Sequence, residues 1–189
     1  YGFHNFAYDG FGKRIAKDSL KFIYDRDGRL IKQSNGLEFF YDHTGVMGLK
    51  YEEKYYFYRK DSQQNIVAIL DNSGKVVVRY TYDSWGNHDI TVLDSSCEQL
   101  ANLNPFRYRS YYYDTETDLY FLKTRYYDPE IGRFINLDDV SYIGVSGTEI
   151  GYNPFLYCEN NPLNDKDNSG YVSDIISWLK QILKKEFIQ

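Results

Sequence analysis

Proline is scarce in this chain, with 4 in 189 residues, and so are histidine (3), cysteine (2), tryptophan (2) and methionine (1). His4, His43 and His88 are far apart and lack ligand spacing, so no metal site is expected, and no cofactor either. Cys97 and Cys158 stand too far apart for a zinc knuckle or a Cys-x-x-Cys redox motif. A disulfide between them is neither required nor excluded, which leaves the redox compartment open. No run of 18 apolar residues exists, so no membrane-spanning helix is expected. An excess of positive charge is also missing. The net charge is −5 and the pI about 5.2, which gives no electrostatic reason to expect a nucleic-acid partner. The chain opens at Tyr1, without Met or a signal peptide, in what already reads as strand. The expectation is a piece of a longer protein, or a processed product.

Aromatics, by contrast, make up 19% of the chain, with 21 Tyr and 12 Phe. Their rings suit a pleated, half-buried surface, and the 14 Gly fall at regular points, so the composition predicts an all-β fold rich in turns. A short repeat sets the rhythm. Tyr8–Gly12, Tyr24–Gly28, Tyr41–Gly45 and Tyr82–Gly86 all read Tyr-Asp-x-x-Gly. Leu70–Gly74 is the same unit with Leu first, and Tyr113–Thr117 and Tyr127–Gly132 are relaxed versions. Each unit predicts a β-hairpin: Tyr closes the incoming strand, Asp bonds backbone N–H groups ahead of it, and Gly takes the positive φ. Alternating runs such as Arg29–Gln33 and Lys75–Tyr82 then begin the next strand. The result is a long meander with open edges.

This rhythm divides the chain into hairpins over residues 1–88, a connection over 89–105, a denser aromatic segment with irregular loops over 106–171, and a tail over 172–189. In the tail, Val172, Ile175, Ile176, Leu179, Ile182 and Leu183 form one helical stripe. Ser173 can cap it, Asp174 suits its positive end, and Lys184 and Lys185 suit its negative end. An amphipathic helix is expected there, docked on its own protein rather than on a membrane surface.

The Tyr-Asp units, followed by "YRSYYYDTETDLYFLKTRYYDPEIGRFINLDD" and then "NPFLYCENNPLNDKDNSG", resemble the Rhs/YD-repeat proteins and their Rhs-repeat-associated core. The likeness runs from about Tyr8 to Tyr171. It implies kinship with insecticidal toxin-complex shells and teneurins, in which the repeats wind into a β-cage. It also implies a secreted or surface-displayed bacterial system. The expected partners are the chain's own upstream repeats, a C-terminal effector held inside, and an immunity protein that meets the effector. The expected role is therefore structural, a wall or plug around a C-terminal polypeptide.

The resemblance carries a second expectation, of a different class. In many relatives the core acts once as an aspartyl autoprotease on its own chain. By position the aspartates fall at Asp138 or Asp139 and at Asp167, and the cut follows Tyr171. Two carboxylates sharing a proton can serve as base and acid, and the fold supplies effective molarity. Three departures weigh against the cut. Asp139 follows Asp138 where the family has Pro, Asn168 follows Asp167 where it has Pro, and Tyr171 replaces Leu. Read from the residues alone, Asp138, Asp139, Asp165 and Asp167 are loop aspartates bonded to local N–H groups. Asp128-Pro129 reads as a turn, Gly132 as a positive-φ position, and Phe134 and Ile135 as core. Arg133 is either a solvated arginine or a partner that holds a nearby carboxylate ionised. The tyrosines admit a third function, a carbohydrate-binding adhesin, although recurrence at turns favours packing ladders between strands.

Overall fold

The computed structural model describes residues 3–137 and 153–167. Asp138, Asp139, Tyr171 and the expected helix of residues 172–189 lie outside the described residues. Two compact units divide the chain: residues up to Thr81 with His88–Ser110 form one, and Tyr82–Asn87 with residues from Tyr111 onward form the other.

The hairpin turns show why the repeat has its form. The Asp25 carboxylate accepts the backbone N–H groups of Asp27 at 3.0 Å and Arg29 at 2.8 Å. Asp9 does the same for Phe11 and Lys13, and Asp71 for Ser73 and Lys75. In each of these turns the glycine N–H donates to the aspartate carbonyl, and Gly12, Gly28 and Gly74 sit at φ between 77° and 84°. The same geometry recurs at Asp61, where Gln64 takes the left-handed position at φ 69°. The sequence hides that turn, because it has neither the tyrosine nor the glycine. The tyrosines add a second periodic contact. The Tyr24 hydroxyl donates to the Arg14 carbonyl at 2.6 Å, and the Tyr41 hydroxyl to the Leu30 carbonyl at 2.7 Å. Lys13 and Arg29, each just past a repeat glycine, lie over those same rings. Each tyrosine thus ties its hairpin to the one before it.

These turns join β1 (Phe6–Tyr8), β2 (Arg14–Lys17), β3 (Leu20–Tyr24), β4 (Leu30–Gln33), β5 (Glu38–Asp42), β6 (Gly45–Tyr51), β7 (Lys54–Lys60), β8 (Ile66–Leu70), β9 (Val76–Tyr82) and β10 (His88–Val92). They form one ten-stranded sheet in sequence order, as the meander expectation requires. On one face, Phe39, Leu49 and Tyr56 stand opposite one another in register, as do Tyr58, Ile69 and Val78. All but Tyr58 in these two rows are buried. Residues 89–105, read from sequence as a connection, contain most of β10, a 3-10 turn (Ser95–Cys97) and α1 (Glu98–Leu103), which buries Leu100 and Ala101. Cys97 and Cys158 are both free thiols.

Asn104 locks this region. It is fully buried, accepts the Tyr58 hydroxyl at 2.6 Å, and donates to the Phe106 carbonyl at 2.8 Å and the Tyr80 hydroxyl at 3.2 Å. Asn104→Leu leaves those groups without their partner in the core, so a loss of about 2–3 kcal/mol in unfolding free energy is expected from urea titration.

The turn aspartates also set an acid limit. The Lys13 and Phe11 amides hold Asp9 below its ordinary 3.8, the Arg29 amide does so for Asp25, and the Ser73 hydroxyl for Asp71. A depressed folded value contributes stability above 3.8 that is lost as pH falls through the folded values. The thermal midpoint is therefore expected to drop on acidification below pH 3.8, less steeply in an Asp9→Asn, Asp25→Asn, Asp71→Asn triple variant. Equal slopes would contradict this.

The second unit holds a four-stranded antiparallel sheet of β11 (Tyr112–Asp114), β12 (Leu119–Phe121), β13 (Tyr126–Asp128) and β14 (Arg133–Phe134). Tyr113, Tyr120, Tyr127 and Phe134 form a ring ladder with centroids 4.9–6.3 Å apart. The Tyr120 and Tyr127 hydroxyls donate to the carbonyls of Gly86 and Trp85 in the last Tyr-Asp-x-x-Gly turn. The Asp128 carboxylate accepts the Glu130 amide at 2.9 Å and Gly132 has φ 66°, so this stretch is the expected strand–turn–strand. Ile135 is a correction. Phe134 is buried, but Ile135 is 48% exposed, because strand alternation turns the next residue to the opposite face.

Candidate functional site

Among the described residues of the second unit is a buried ion pair. An Arg125 guanidinium nitrogen, on the residue just before β13, lies 3.1 Å from the Asp167 carboxylate. The two side chains are 3% and 4% exposed. Two charges taken this far from water persist only when each has close partners. Arg125 also donates to the Pro154 carbonyl at 3.1 Å, and its guanidinium carbon lies 3.5 Å from the centroid of the Phe134 ring. That stacking covers the flat face of the cation while its edge bonds the carboxylate. An arginine so placed favours the ionised form of Asp167.

Asp167 is fixed at its backbone as well, because the Tyr111 hydroxyl donates to its carbonyl. The Tyr111 and Tyr157 hydroxyls lie 3.3 Å apart. The Tyr157 ring packs 4.1 Å from Tyr127 and edge-on to Phe134. The returning segment is anchored where the Phe134 amide donates to the Phe155 carbonyl at 2.9 Å and Arg133 bridges Leu156. Residues far apart in sequence are thus gathered around one carboxylate.

Of the residues singled out from sequence, Asp167 stands in this cluster. Its side chain reaches 42 residues back to Arg125, which no local-turn reading of Asp167 anticipates. Arg133 is exposed on β14, opposite Asp128 in register. Asp138, Asp139 and Tyr171 are not described. The residue that sequence reading passed over is Arg125. Its signal was an arginine directly before Tyr126 and Tyr127, an inward-alternating aromatic strand where a lone cation must find an acid. Among the described residues, no group of three or more His, Cys, Asp or Glu could hold a metal, and no helix is long and apolar enough to cross a membrane.

A meander of tyrosine-aspartate hairpins, followed by an aromatic unit built on relaxed copies of the same repeat, defines a YD-repeat shell module. The chain belongs to the teneurin YD-shell family, whose model matches residues 5–161. It is 36% identical over 171 residues to the tRNA3(Ser)-specific nuclease WapA of Bacillus spizizenii, covering 88% of this chain and 6% of that protein. It is 26% identical over 125 residues to the toxin protein Tse5 of Pseudomonas aeruginosa, covering 66% of this chain and 8% of that one. Among solved structures, the Tc holotoxin pore of Photorhabdus luminescens matches with a TM-score of 0.66 at 19% identity, over 91% of this chain and 9% of that one. At that identity the likeness is one of fold. The chain therefore spans under a tenth of the length of each of these relatives, and the Rhs/YD-repeat resemblance read from the sequence holds.

Proposed function

We propose that this chain is a wall segment of an Rhs-type container that encloses a C-terminal effector polypeptide, in a secreted or surface-displayed bacterial system. The observation that carries the reading is the ten-stranded sheet in strict sequence order. A sheet built this way lengthens by adding hairpins, and its tyrosine and Asp-turn contacts repeat from one hairpin to the next. Similarity to a toxin protein and a shared fold with a toxin-complex structure support the same reading. The test is single-particle electron microscopy of the polypeptide encoded by the parent gene. A hollow β-shell with density inside is expected; a solid or extended particle would overturn the reading. An immunity protein would then meet the effector and not this segment.

The Arg125–Asp167 pair favours a second role, a single self-cleavage after Tyr171. Asp167, ionised beside Arg125, takes a proton from water as the oxygen attacks the Tyr171 carbonyl carbon. Asp138 or Asp139, protonated, gives its proton to the Val172 nitrogen as the peptide bond breaks. Tyr111 holds the Asp167 backbone, four residues before the bond to be cut. The denatured mass of the purified chain reads the outcome. Loss of residues 172–189 in the parent chain, but not in Asp167→Asn, is the expected result. A full-length mass in both would overturn this role.

A further inference from the structure

In the first unit, the tips of two neighbouring hairpins leave a cleft between them. Phe57 on β7 stands opposite Leu70, the last residue of β8, so residues 54–56 run on past the end of β8. Glu52 and Glu53 turn this longer hairpin at φ 48° and 60°. The next hairpin turns at residues 71–74. The cleft measures about 490 Å³, a volume that suits a small molecule. Glu53, Lys54 and Tyr55 line it from one hairpin, and Asp71, Asn72 and Ser73 from the other. Asp71 departs from the turns at Asp25, Asp61 and Asp83. There, one carboxylate oxygen serves the turn amides and the other is closed by the side chain four residues on. At Asp71, Oδ1 accepts the Ser73 and Lys75 amides and the Ser73 hydroxyl. Lys75 reaches Asp94 instead, at 3.4 Å. Oδ2 of Asp71 therefore has no hydrogen-bond partner among the described residues.

We propose that this cleft binds a neutral saccharide of the β-linked hexopyranose class. The Tyr55 ring is 51% exposed and is backed by Phe40, with centroids 6.1 Å apart and planes tilted at 60°. Tyr55 belongs to no Tyr-Asp unit, so the turn packing that accounts for Tyr24 and Tyr41 does not account for it. Its ring offers an apolar face with a polar tip. A pyranose with equatorial substituents presents a matching face of C–H groups, with hydroxyls around the rim. Each hydroxyl both donates and accepts, and the cleft supplies both kinds of partner. Asp71 accepts, Lys54 donates, and the Asn72 amide does both. Lys54 and Asn72 are exposed. Charge weighs against a cationic ligand. Glu53 is paired with Lys50 at 2.7 Å, and Lys54 offsets Asp71 across the cleft, so no net field draws in an arginine or lysine side chain. The inference is independent of the container reading and of self-cleavage.

Saturation-transfer difference NMR on the full chain tests this, with the β-linked trisaccharides cellotriose and triacetylchitotriose as probes. Saturable transfer to the sugar ring protons is expected from at least one of them. Tyr55→Ala should weaken binding by about tenfold through the lost stacking face, and Tyr55→Phe should retain it. Asp71→Asn keeps an oxygen for the turn amides but replaces the open acceptor with a donor, so a loss of about tenfold is expected there too. Asn72→Ala, at an exposed turn position, should weaken binding by a smaller factor. Near-UV circular dichroism checks that each variant keeps its fold. Absence of transfer to both sugars in the parent chain would overturn the proposal, as would binding that neither Tyr55→Ala nor Asn72→Ala weakens. The peptide Gly-Arg-Gly serves as counter-probe. Transfer to its arginine that is lost in Asp71→Asn, with none to the sugars, would assign the cleft to a cationic peptide and overturn the proposal too.

Discussion

Replacing Arg125 with alanine is expected to cost about 3–5 kcal/mol in unfolding free energy, because it leaves the Asp167 carboxylate buried without its cation. The figure applies here since neither side chain is more than 4% exposed, so solvent does little to screen the pair. Asp167→Asn should cost less, because an amide still accepts a hydrogen bond from Arg125. The double variant Arg125→Met, Asp167→Leu should recover most of the loss, since an apolar pair of similar volume incurs no desolvation penalty. Urea titration of the single and double variants forms a cycle that isolates the pair. If Arg125→Ala costs less than about 1 kcal/mol, the pair behaves as a solvated one and the site described above is wrong.

The second large effect is expected at Gly48, which lies in register between Phe40 on β5 and Phe57 on β7. A Cβ at this position would lie 2.3 Å from the Tyr56 carbonyl oxygen and 2.5 Å from the Phe40 ring. The ring could swing aside, but the carbonyl belongs to the paired strand, so the β6–β7 ladder would have to part. Gly48→Ala is therefore expected to cost about 3 kcal/mol, at the upper end of overpacking penalties. Gly74→Ala is a useful control. No atom lies near its added Cβ, and only the positive φ resists the change, so a loss of about 1 kcal/mol is expected. Equal losses at the two sites would show that steric contact across β6 and β7 is not what excludes a side chain there.

The meander was legible because its turns are local. An Asp accepting amides two and four residues ahead, followed by a glycine at positive φ, leaves the same mark each time, and the strand order follows from chaining hairpins. The turn at Asp61 escaped because its geometry survives without Tyr or Gly, with the Asn65 side chain adding a bond to the Asp61 carboxylate. The helix over Glu98–Leu103 escaped because it is short and is tied by a distant residue, the Tyr80 hydroxyl donating to the Ala101 carbonyl. Ile135 was misassigned for a simpler reason, since adjacent strand residues cannot both face one core. For the site, position in the family pattern picked out Asp167, but only the fold pairs it with Arg125. Partners 42 residues apart that bond directly only in the folded chain leave no periodic trace in sequence.

The central claim is that this chain is a wall segment around a C-terminal polypeptide. Protease protection tests it most directly. The polypeptide encoded by the parent gene is treated with trypsin, intact and after the shell is opened by urea at a concentration in which trypsin stays active. The C-terminal polypeptide is expected to survive in the intact particle and to be digested once the shell opens. Digestion at the same rate before and after opening would contradict the account.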